Sequence, residues 1–282
     1  MTKFLVVGSM NFDMTYVIEG RLEPHSKTRA KEMWAGPGGS ASNTAYLLGR
    51  RRLAVRILGA VGKDVVAPEL LTSLESQGVD TAHVQESSRA QTATCVILLA
   101  GTDKQMVSFP GANANLDLNA VATDIFDDIS HIHVASGRAD IVSWALSHAL
   151  RIGATSSLEW NGRDYAALEQ GLDVSFMNQD ELRRLHAGDE PQEVRAASLA
   201  RRTGGLVVIT AGARGAWAVD PAGQRTSAPA RPVKIIDRTG GGDGFNAGFL
   251  AAWKYGAGLQ KALAVGLDLA AEVLETRGTR PL

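Results

Sequence analysis

The segment Asp237–Asp243 carries the strongest chemical signal of the sequence, and it reads DRTGGGD. It follows the apolar run Val233–Ile236, predicted as a strand, and it opens an apolar-periodic stretch predicted as a helix. Three glycines let a ligand approach the backbone closely, and the first turn of a helix presents unpaired N–H groups to an anion. A carboxylate at the edge of such a site, here Asp243, can take the proton from an attacking hydroxyl group. The competing interpretation is a flexible turn in which Asp243 is only the helix N-cap.

A second glycine-rich segment, Gly36–Asn43, reads GPGGSASN and also precedes an apolar-periodic stretch. It is compatible with a plain turn capped by Ser40, or with the G-x-G-x-x-A fingerprint of dinucleotide-binding proteins, which would end at Ala41. The context argues against the fingerprint. Lys27–Trp34 is polar where a buried strand is required, and Arg56 stands where an acidic residue should bind the ribose. An NAD-dependent oxidoreductase is therefore only a remote alternative.

Two polar residues, Asn11 and Asp13, follow the first predicted strand, Leu5–Val7. In an extended chain, residues two apart point to the same face, and this end of a strand is where open α/β sheets bind ligands. An amide beside a carboxylate suits the hydroxyl groups of a polyol. A polar strand end with an Asx turn explains the same residues without any ligand.

Two further segments give weaker signals. Asn178–Glu181 directly follows a predicted strand, and it either caps a helix or presents Asn178 and Glu181 to a metal–phosphate group. Thr210–Gly215 joins two apolar runs, and it is either a glycine hairpin turn or a loop that faces a nucleotide.

The alternation of short apolar runs with amphipathic stretches predicts the scaffold for these segments, an α/β fold with a mostly parallel sheet and helices on both faces. The predicted strands are Leu5–Val7, Val55–Leu58, His131–Ala135, Thr155–Leu158, Val174–Met177, Leu206–Thr210 and Gly215–Val219. The predicted helices are Ser40–Arg51, Ala67–Gln77, Asp140–Arg151, Asn178–His186, Pro191–Arg202, Gly242–Tyr255 and Leu259–Thr276. Residues 14–34 and 89–110 interrupt the alternation, and their β-prone sequence predicts a small second sheet that serves as a lid. We expect residues 1–282 to form a single domain.

Composition excludes several classes of function. Basic residues number 29 and acidic residues 30, so the net charge of −1 leaves no basic field for nucleic acid or for a membrane surface. No apolar run is long enough to span a membrane or to serve as a signal peptide, so we expect a cytoplasmic protein. Cys95 lies in an apolar run and predicts a buried, unreactive thiol. His131 and His133 alternate on a predicted strand, but no third ligand stands at a metal-like spacing, so zinc is not expected.

In combination and in order, these segments resemble the PfkB/ribokinase family of carbohydrate and nucleoside kinases, from Gly8 to Gly278. Gly38–Asn43 is similar to the amino-terminal signature of that family, and Asp237–Phe249 is similar to its more specific carboxyl-terminal signature. Intermediate blocks of the family are matched by Val61–Asp64, Asn178–Glu181, Thr210–Gly215 and Glu275–Thr279. The resemblance implies a ribokinase-like three-layer fold with a small β lid.

The resemblance also implies a role for each matching residue. Asp243 would be the catalytic base, and the backbone of Gly240, Gly241 and Gly242 would form the anion hole. The other implied roles are acceptor binding by Asn11, Asp13, Gly38, Gly39 and Asn43, ATP binding by Asn178, Thr210, Gly212 and Gly215, and binding of Mg²⁺ through water by Glu181. Asp237 stands where many members hold a monovalent cation such as K⁺. Lids of this family often pair between subunits, which implies a homodimer.

Three positions depart from the family pattern. Gly241 replaces a commoner alanine, Arg238 replaces a small hydroxyl residue, and Leu267 replaces an asparagine that lies near the adenine in ribokinases. The resulting hypothesis is an ATP-dependent kinase that phosphorylates a primary hydroxymethyl group of a small sugar without a P-loop. Two alternatives stay open: a nucleoside kinase, for which Phe12 and Phe109 are candidates to stack on the base, and an inactive sugar-binding homologue.

Overall fold

The computed structural model describes residues 3–22, 24, 25, 27–101, 103–135, 137–161, 171–185 and 190–280, and these contain fifteen strands and seven α-helices. The strands are β1 (Lys3–Gly8), β2 (Asn11–Val17), β3 (Glu32–Gly38), β4 (Ala54–Leu58), β5 (Ala60–Gly62), β6 (Val79–Asp80), β7 (Gln85–Ser87), β8 (Ala93–Ala100), β9 (Asp103–Phe109), β10 (Ile129–Ala135), β11 (Thr155–Glu159), β12 (Val174–Asn178), β13 (Leu206–Thr210), β14 (Ala216–Val219) and β15 (Arg225–Ala228). The helices are α1 (Ser40–Arg50), α2 (Ala67–Glu75), α3 (Ala139–Ile152), α4 (Gln179–Leu185), α5 (Gln192–Thr203), α6 (Gly241–Lys254) and α7 (Leu259–Leu274).

Nine of the described strands form the main sheet, in the order β15-β14-β13-β12-β11-β10-β1-β4-β6. Neighbours from β13 to β6 pair in parallel, whereas β14 and β15 are antiparallel. The chain leaves β1 towards β4 on one side and later returns to β10 on the other side. The point between β1 and β10 is therefore the topological switch, where open α/β sheets bind ligands. Gly8 permits the close approach there, because a Cβ on it would lie 1.8 Å from the carbonyl oxygen of Ala135.

Apolar side chains fill both faces of the main sheet. One core packs α1, α2, α6 and α7 against the sheet, and it includes the buried residues Leu47 and Phe245. The opposite core packs α3, α4 and α5, and it includes the buried residues Ile141 and Leu182. The result is the helix–sheet–helix arrangement predicted from the alternating pattern, and that prediction is confirmed. Every helix in the described part of the chain is too short or too polar to cross a membrane.

The predicted strands and helices correspond to elements whose ends differ from the predictions by no more than two residues. His186, the predicted end of the fourth helix, lies outside the described residues. The predicted strand Val233–Ile236 is wrong, because these residues are irregular. The N–H of Ile236 donates to the carbonyl of Leu274, and Val233 lines a cavity, so the apolar run packs beside α7 instead of extending the sheet.

A separate four-stranded sheet, in the order β3-β2-β8-β9, is built from the two segments that interrupt the alternation. The first of these segments is longer than the predicted residues 14–34, because β2 starts at Asn11 and β3 ends at Gly38. We call this sheet the lid. One face carries Asp13 and the buried side chains of Thr15 and Cys95, and burial raises the pKa of the Cys95 thiol to about 11. That face is called the inner face below.

Candidate active site

The glycine turn Gly240–Gly242 lies at the amino-terminal end of α6. The φ angle of Gly240 is 77°, in the left-handed region that favours glycine. A Cβ on Gly240 would lie 2.9 Å from the side chain of Thr279, whereas a Cβ on Gly242 would meet nothing within 4 Å. One side of the turn is therefore closed by the chain and the other faces open space, as an anion site at a helix terminus requires.

Asp237 joins this turn to the carboxyl-terminal tail, which we define as Glu275–Arg280. Asp237 is 1% exposed, its Oδ1 accepts the N–H of Thr239 at 2.9 Å, and its Oδ2 accepts the N–H of Gly278 at 3.2 Å. The carboxylate thus satisfies one backbone donor from the turn and one from the tail. The position of the glycine turn consequently depends on the tail.

Asp243 lies in the first turn of α6 and is 6% exposed. Its Oδ2 accepts a hydrogen bond of 2.8 Å from Nδ2 of Asn43 on α1. Burial raises the pKa of Asp243 to about 7, and the hydrogen bonds from Asn43 and Ser40 oppose that rise. A general base works best when its pKa is close to the ambient pH, so this carboxyl group has the properties of a base at neutral pH.

The proposed acceptor residues meet at the switch point, where β2 and β3 pair. The antiparallel register places Asn11 opposite Gly38, and Asp13 opposite Gly36. A Cβ on Gly38 would lie 2.1 Å from the carboxylate of Asp13, so a side chain at this position would displace that carboxylate. Gly39 has a φ of 92° and precedes α1, which carries Asn43 to Asp243.

The carboxyl group of Asp13 is incompletely satisfied. Burial raises its pKa to about 6, and the positive charges of Lys104 and Arg280 oppose that rise. Its Oδ1 is buried and has no hydrogen-bond partner among the residues that the structure describes. Leaving a buried acceptor unpaired is costly, and the hydroxyl group of a ligand would remove that cost.

Asn113 supports Asn11, and no local sequence pattern indicates this role. Its Nδ2 donates to Oδ1 of Asn11 at 2.9 Å, and its Oδ1 accepts the N–H of Met10 at 3.1 Å. The segment that carries Asn113 is held by Arg138, which donates to backbone carbonyls of that segment and pairs with Asp140 at 2.9 Å. A cavity of about 290 Å³ adjoins Asn11 and Asn113. The orientation of the Asn11 amide beside this cavity is therefore set by a residue 102 positions away.

Lys104 connects the lid to the glycine turn, and sequence reasoning missed it because a lysine on an edge strand usually points to solvent. Its Nζ donates to Oγ1 of Thr239 at 2.9 Å. Burial lowers the pKa of Lys104, and the charges of Asp237, Asp13 and Asp243 oppose that fall. A cation from the lid thus lies beside the anion site at the start of α6.

A second cavity, of about 630 Å³, lies on the other side of the glycine turn. Its walls include the proposed nucleotide residues Thr210, Gly212 and Gly215, the turn residues Gly241 and Gly242, and the family departures Arg238 and Leu267. The remaining wall is mostly apolar and includes residues of α7 and of the segment 230–235. The cavity therefore combines an apolar surface with the open amino-terminal end of α6, a combination that suits a nucleotide.

Asn178 and Glu181 form a reciprocal capping box at the start of α4. Oδ1 of Asn178 accepts the N–H of Glu181 at 2.9 Å, and Oε2 of Glu181 accepts the N–H of Asn178 at 2.8 Å. Among the described residues, the wall of the larger cavity includes neither of them. This segment therefore caps α4, as one of the two interpretations predicted. Binding of a metal ion by Glu181 would require a water molecule between the carboxylate and the ion.

Glu159 is a further acid that sequence reasoning missed, although it directly follows a predicted strand at its carboxyl end. Its Oε2 is buried and has no partner among the described residues. Burial raises the pKa of Glu159 well above its usual value, and the negative charges of Asp243 and Glu181 raise it further. Glu159 therefore belongs electrostatically to the same site as the proposed base.

His131 and His133 are fully buried on β10. The two nitrogens of His131 lie 2.8 Å from the hydroxyl groups of Thr155 and Ser157, and Nδ1 of His133 lies 2.7 Å from Ser157. Burial lowers the pKa of both rings. These hydroxyl contacts place the pair in a buried polar network of the main sheet.

Known proteins are similar to this chain in sequence and in fold. A family model described as pfkB family carbohydrate kinase matches residues 1–282, so the chain belongs to this family of kinases. The ATP-dependent ribose-1-phosphate kinase of Halopiger xanaduensis is 28% identical over 93% of this chain and 88% of its own length. The nucleoside kinase of Methanothermobacter thermautotrophicus is 26% identical over 98% and 90%, respectively. The ribokinase of Arabidopsis thaliana, solved with ribose and ATP, has a TM-score of 0.86 at 21% identity and covers 100% of this chain and 96% of that one. The ribokinase-like fold expected from the sequence is confirmed.

Proposed function

We propose that this chain transfers a phosphoryl group from ATP to a primary alcohol of a small sugar. The observation that carries the proposal is Asp243, a buried carboxyl group with a pKa of about 7 beside a glycine turn that faces open space. Asp243 takes the proton from the attacking hydroxyl, and the backbone of Gly240–Gly242 stabilises the negative charge of the phosphoryl group. These are the contributions that phosphoryl transfer needs from a protein, because it depends on positioning and charge stabilisation.

The nucleotide is assigned to the cavity of about 630 Å³. Its phosphates would lie at Gly241 and Gly242, and its base would contact the apolar wall near Leu267, where this chain has no amide to recognise adenine. Mg²⁺ prefers oxygen ligands and keeps several waters, so Glu181 would hold it through water, with Asn178 beside it at the end of β12. When bound, Mg²⁺ would neutralise part of the negative charge of the phosphates.

Asp237 is proposed to hold a monovalent cation such as K⁺. Its buried carboxylate connects the glycine turn with the carboxyl-terminal tail through Thr239 and Gly278. Carboxylate and backbone oxygens are ligands that suit a hard cation. A cation at this place would brace the anion hole and increase activity without contacting the acceptor.

The acceptor is assigned to the space between the inner face of the lid and the switch point. Asn11, Asp13 and Asn43 offer an amide, a carboxylate and a second amide to neighbouring hydroxyl groups. The unpaired Oδ1 of Asp13 is the group that a sugar hydroxyl satisfies most directly. Gly38 and Gly39 keep this space free of side chains.

A nucleoside kinase is the second candidate, and Trp34 favours it. The strand register places Phe12 and Phe109 on the outer face of the lid, opposite to Asp13, and Phe109 is 53% exposed. Trp34 instead pairs with Thr15 and lies on the inner face. It lines a cavity of about 320 Å³ together with Asp13, and its Nε1 has no hydrogen-bond partner among the described residues. A base linked to a ribose would find an aromatic surface and a donor there.

Two copies of the chain are proposed to pair through the outer face of the lid, defined as Phe12, Met14, Val96, Val107 and Phe109. Val107 is 67% exposed and Phe109 is 53% exposed. Exposed apolar patches on a soluble protein mark interaction sites. A second copy fits this face because a two-fold interface brings identical surfaces together. Pairing also covers the lid without blocking its inner face.

Consumption of ATP in the presence of a panel of sugars, sugar phosphates and nucleosides tests the proposed function. We expect ADP and a phosphorylated product with at least one sugar, and turnover lower by about 10²–10⁴ in the Asp243→Asn variant. Turnover of adenosine but not of ribose would replace the sugar assignment with the nucleoside one. Sugar binding without ADP formation would identify an inactive homologue, and reduction of NAD would identify an oxidoreductase.

A further inference from the structure

The carboxyl-terminal tail enters the active site at Thr279 and Arg280. Thr279 is 5% exposed, its Oγ1 lies 2.9 Å from Oδ1 of Asn43, and its side chain packs on Gly240. Arg280 donates from Nη2 to the hydroxyl of Ser42 at 2.8 Å. The tail therefore touches both the glycine turn and the start of α1.

Further contacts fix the Arg280 side chain. Its Nη1 donates to the hydroxyl of Ser73 on α2 at 2.6 Å, and its guanidinium lies over the ring of Tyr46, 5.0 Å from the centroid. The side chain is thus attached to α1 and α2 at once. These contacts fix the orientation of the partly buried guanidinium, so its Nε–H points in a defined direction.

The donors of the tail determine which way the Asn43 amide points. Nε of Arg280 faces Oδ1 of Asn43 at 3.5 Å, and a guanidinium can only donate hydrogen bonds. The Asn43 atom on this side must therefore be the oxygen, which also accepts from Thr279. The NH₂ group is consequently directed at Oδ2 of Asp243, 2.8 Å away. A reversed amide would place its oxygen against the carboxylate, which is unfavourable when Asp243 is ionised.

We propose that Thr279 and Arg280 are positioning residues that hold the NH₂ group of Asn43 against Asp243 and so keep the proposed base ionised. The proposal rests on the proposed function for its kinetic readout. It gives Asn43 a second role, because its Oδ1 accepts a hydrogen bond from the tail while its Nδ2 donates one to the base. The tail would thus complete the active site by acting on the base through Asn43.

Other charges also act on Asp243, and each belongs to a different element. They are Asp13 on β2, Lys104 on β9, Glu159 on β11 and Arg280 in the tail. Burial raises the pKa of Asp243 most, and the hydrogen bond from Asn43 is the largest influence that lowers it. Thr279→Val removes a neutral hydroxyl and leaves all these charges in place. A change in the titration of Asp243 in this variant therefore reports the orientation of Asn43.

The test compares the pH dependence of kcat/KM in the parent and in Thr279→Val. We expect the acidic limb of the profile to move upward by about one pH unit, because a hydrogen bond to a charged group contributes about that much to a pKa. The rate at pH 6 should then fall about tenfold, whereas the rate at pH 9 should hardly change. Thr279→Ser retains the hydroxyl and should restore the parent profile.

The matched control is Thr276→Val, in the same tail. The hydroxyl of Thr276 donates to the carbonyl of Val273 at 2.8 Å, so its loss leaves Asn43 untouched. We expect this variant to keep the parent profile. If Thr279→Val matches the control, or loses the same factor at every pH, Thr279 is only a packing residue and the proposal is wrong. If Thr279→Val does not fold, Thr279→Ala removes the same hydroxyl and takes its place.

The melting temperature as a function of pH provides a readout that needs no activity. The pKa of Asp243 is raised in the folded state from 3.8 to about 7, so this group stabilises the fold least at high pH and its contribution falls as the pH rises across that window. Thr279→Val should extend the fall to higher pH, and Asp243→Asn should remove it. A parent that phosphorylates nothing while this shift occurs would contradict the proposed function alone. If the chain is an active kinase but Thr279→Val changes neither the pH dependence of the melting temperature nor the pH profile of kcat/KM, only this inference is contradicted.

Discussion

Nδ2 of Asn43 lies 2.8 Å from Oδ2 of Asp243, although 200 positions separate the two residues in the chain. The contact joins the first turns of α1 and α6, and each helix is preceded by a glycine with positive φ. Each glycine-rich segment is ambiguous when taken alone, because a turn with a cap explains it equally well. Their meeting at one buried carboxyl group is what a site for phosphoryl transfer requires.

Asp243→Asn should lower kcat by about 10²–10⁴, because it removes the general base. ATP affinity, measured by calorimetry, should stay near that of the parent. In the parent, kcat should rise with pH up to about 7 and then level off, since the base must be ionised. Above pH 7 the variant should melt at a higher temperature than the parent, because it lacks the buried carboxylate that ionises at position 243. Near-normal turnover would show that another group is the base.

Glu181→Gln should increase the Mg²⁺ concentration that gives half-maximal activity, because it removes a negative charge from the first turn of α4. The measurement is a titration of activity with MgCl₂ at saturating ATP. Asp180→Asn is the control, since Asp180 lies in the same turn but pairs at the surface with Arg183. Identical metal dependence in the parent and in both variants would reduce Glu181 to its observed role in the capping box.

Lys104→Met should lower kcat about tenfold or more, because it removes the lid cation that contacts Thr239 next to the glycine turn. Lys104→Arg should retain part of the activity, since it keeps the charge. Lys31→Met is the control, because Lys31 also lies in the chain segment that builds the lid but pairs at the surface with Glu19. An unchanged kcat together with an unchanged KM for ATP would show that Lys104 only fastens the lid to Thr239.

Trp34→Ala and Phe109→Ala together decide between a sugar and a nucleoside. A sugar kinase should keep most of its acceptor affinity in both variants. A nucleoside kinase should lose about 1–3 kcal/mol in Trp34→Ala, by analogy with stacked bases. It should lose little in Phe109→Ala, because Phe109 lies on the outer face of the lid. The measurement is the acceptor KM, and a loss confined to Phe109→Ala would contradict this placement.

Val107→Lys should convert a dimer into a monomer, because it places a charge on the exposed apolar part of the outer face of the lid. The oligomeric state is measured by sedimentation or by light scattering across a range of concentrations. Val65→Lys is the control, since Val65 is 93% exposed and lies outside the lid. A parent that is monomeric at all concentrations, or a Val107→Lys variant that still dimerises, would refute pairing through this face.

The periodic pattern of the sequence by itself determined the layered scaffold. Parallel strands covered on both faces require continuous apolar runs, and surface helices require apolar residues with a period of 3.6. Both patterns can therefore be recognised in a short stretch of sequence. The two glycine-rich segments could be recognised for the same reason, because each is a run of consecutive residues. The run Val233–Ile236 shows the limit of this reasoning, because an apolar run packs equally well beside α7 as in a strand.

Only the tertiary structure decided which side chains surround Asp243. Lys104 of the lid and Glu159 of the main sheet act on its charge, and Thr279 of the tail bonds to its partner Asn43; no local pattern records such long-range relationships. The face of the lid on which Phe109 lies also depended on strand register, because a shift of one residue reverses every side chain. The pKa of Asp243 likewise depends on burial, which exists only after α1, α6 and the lid have packed together.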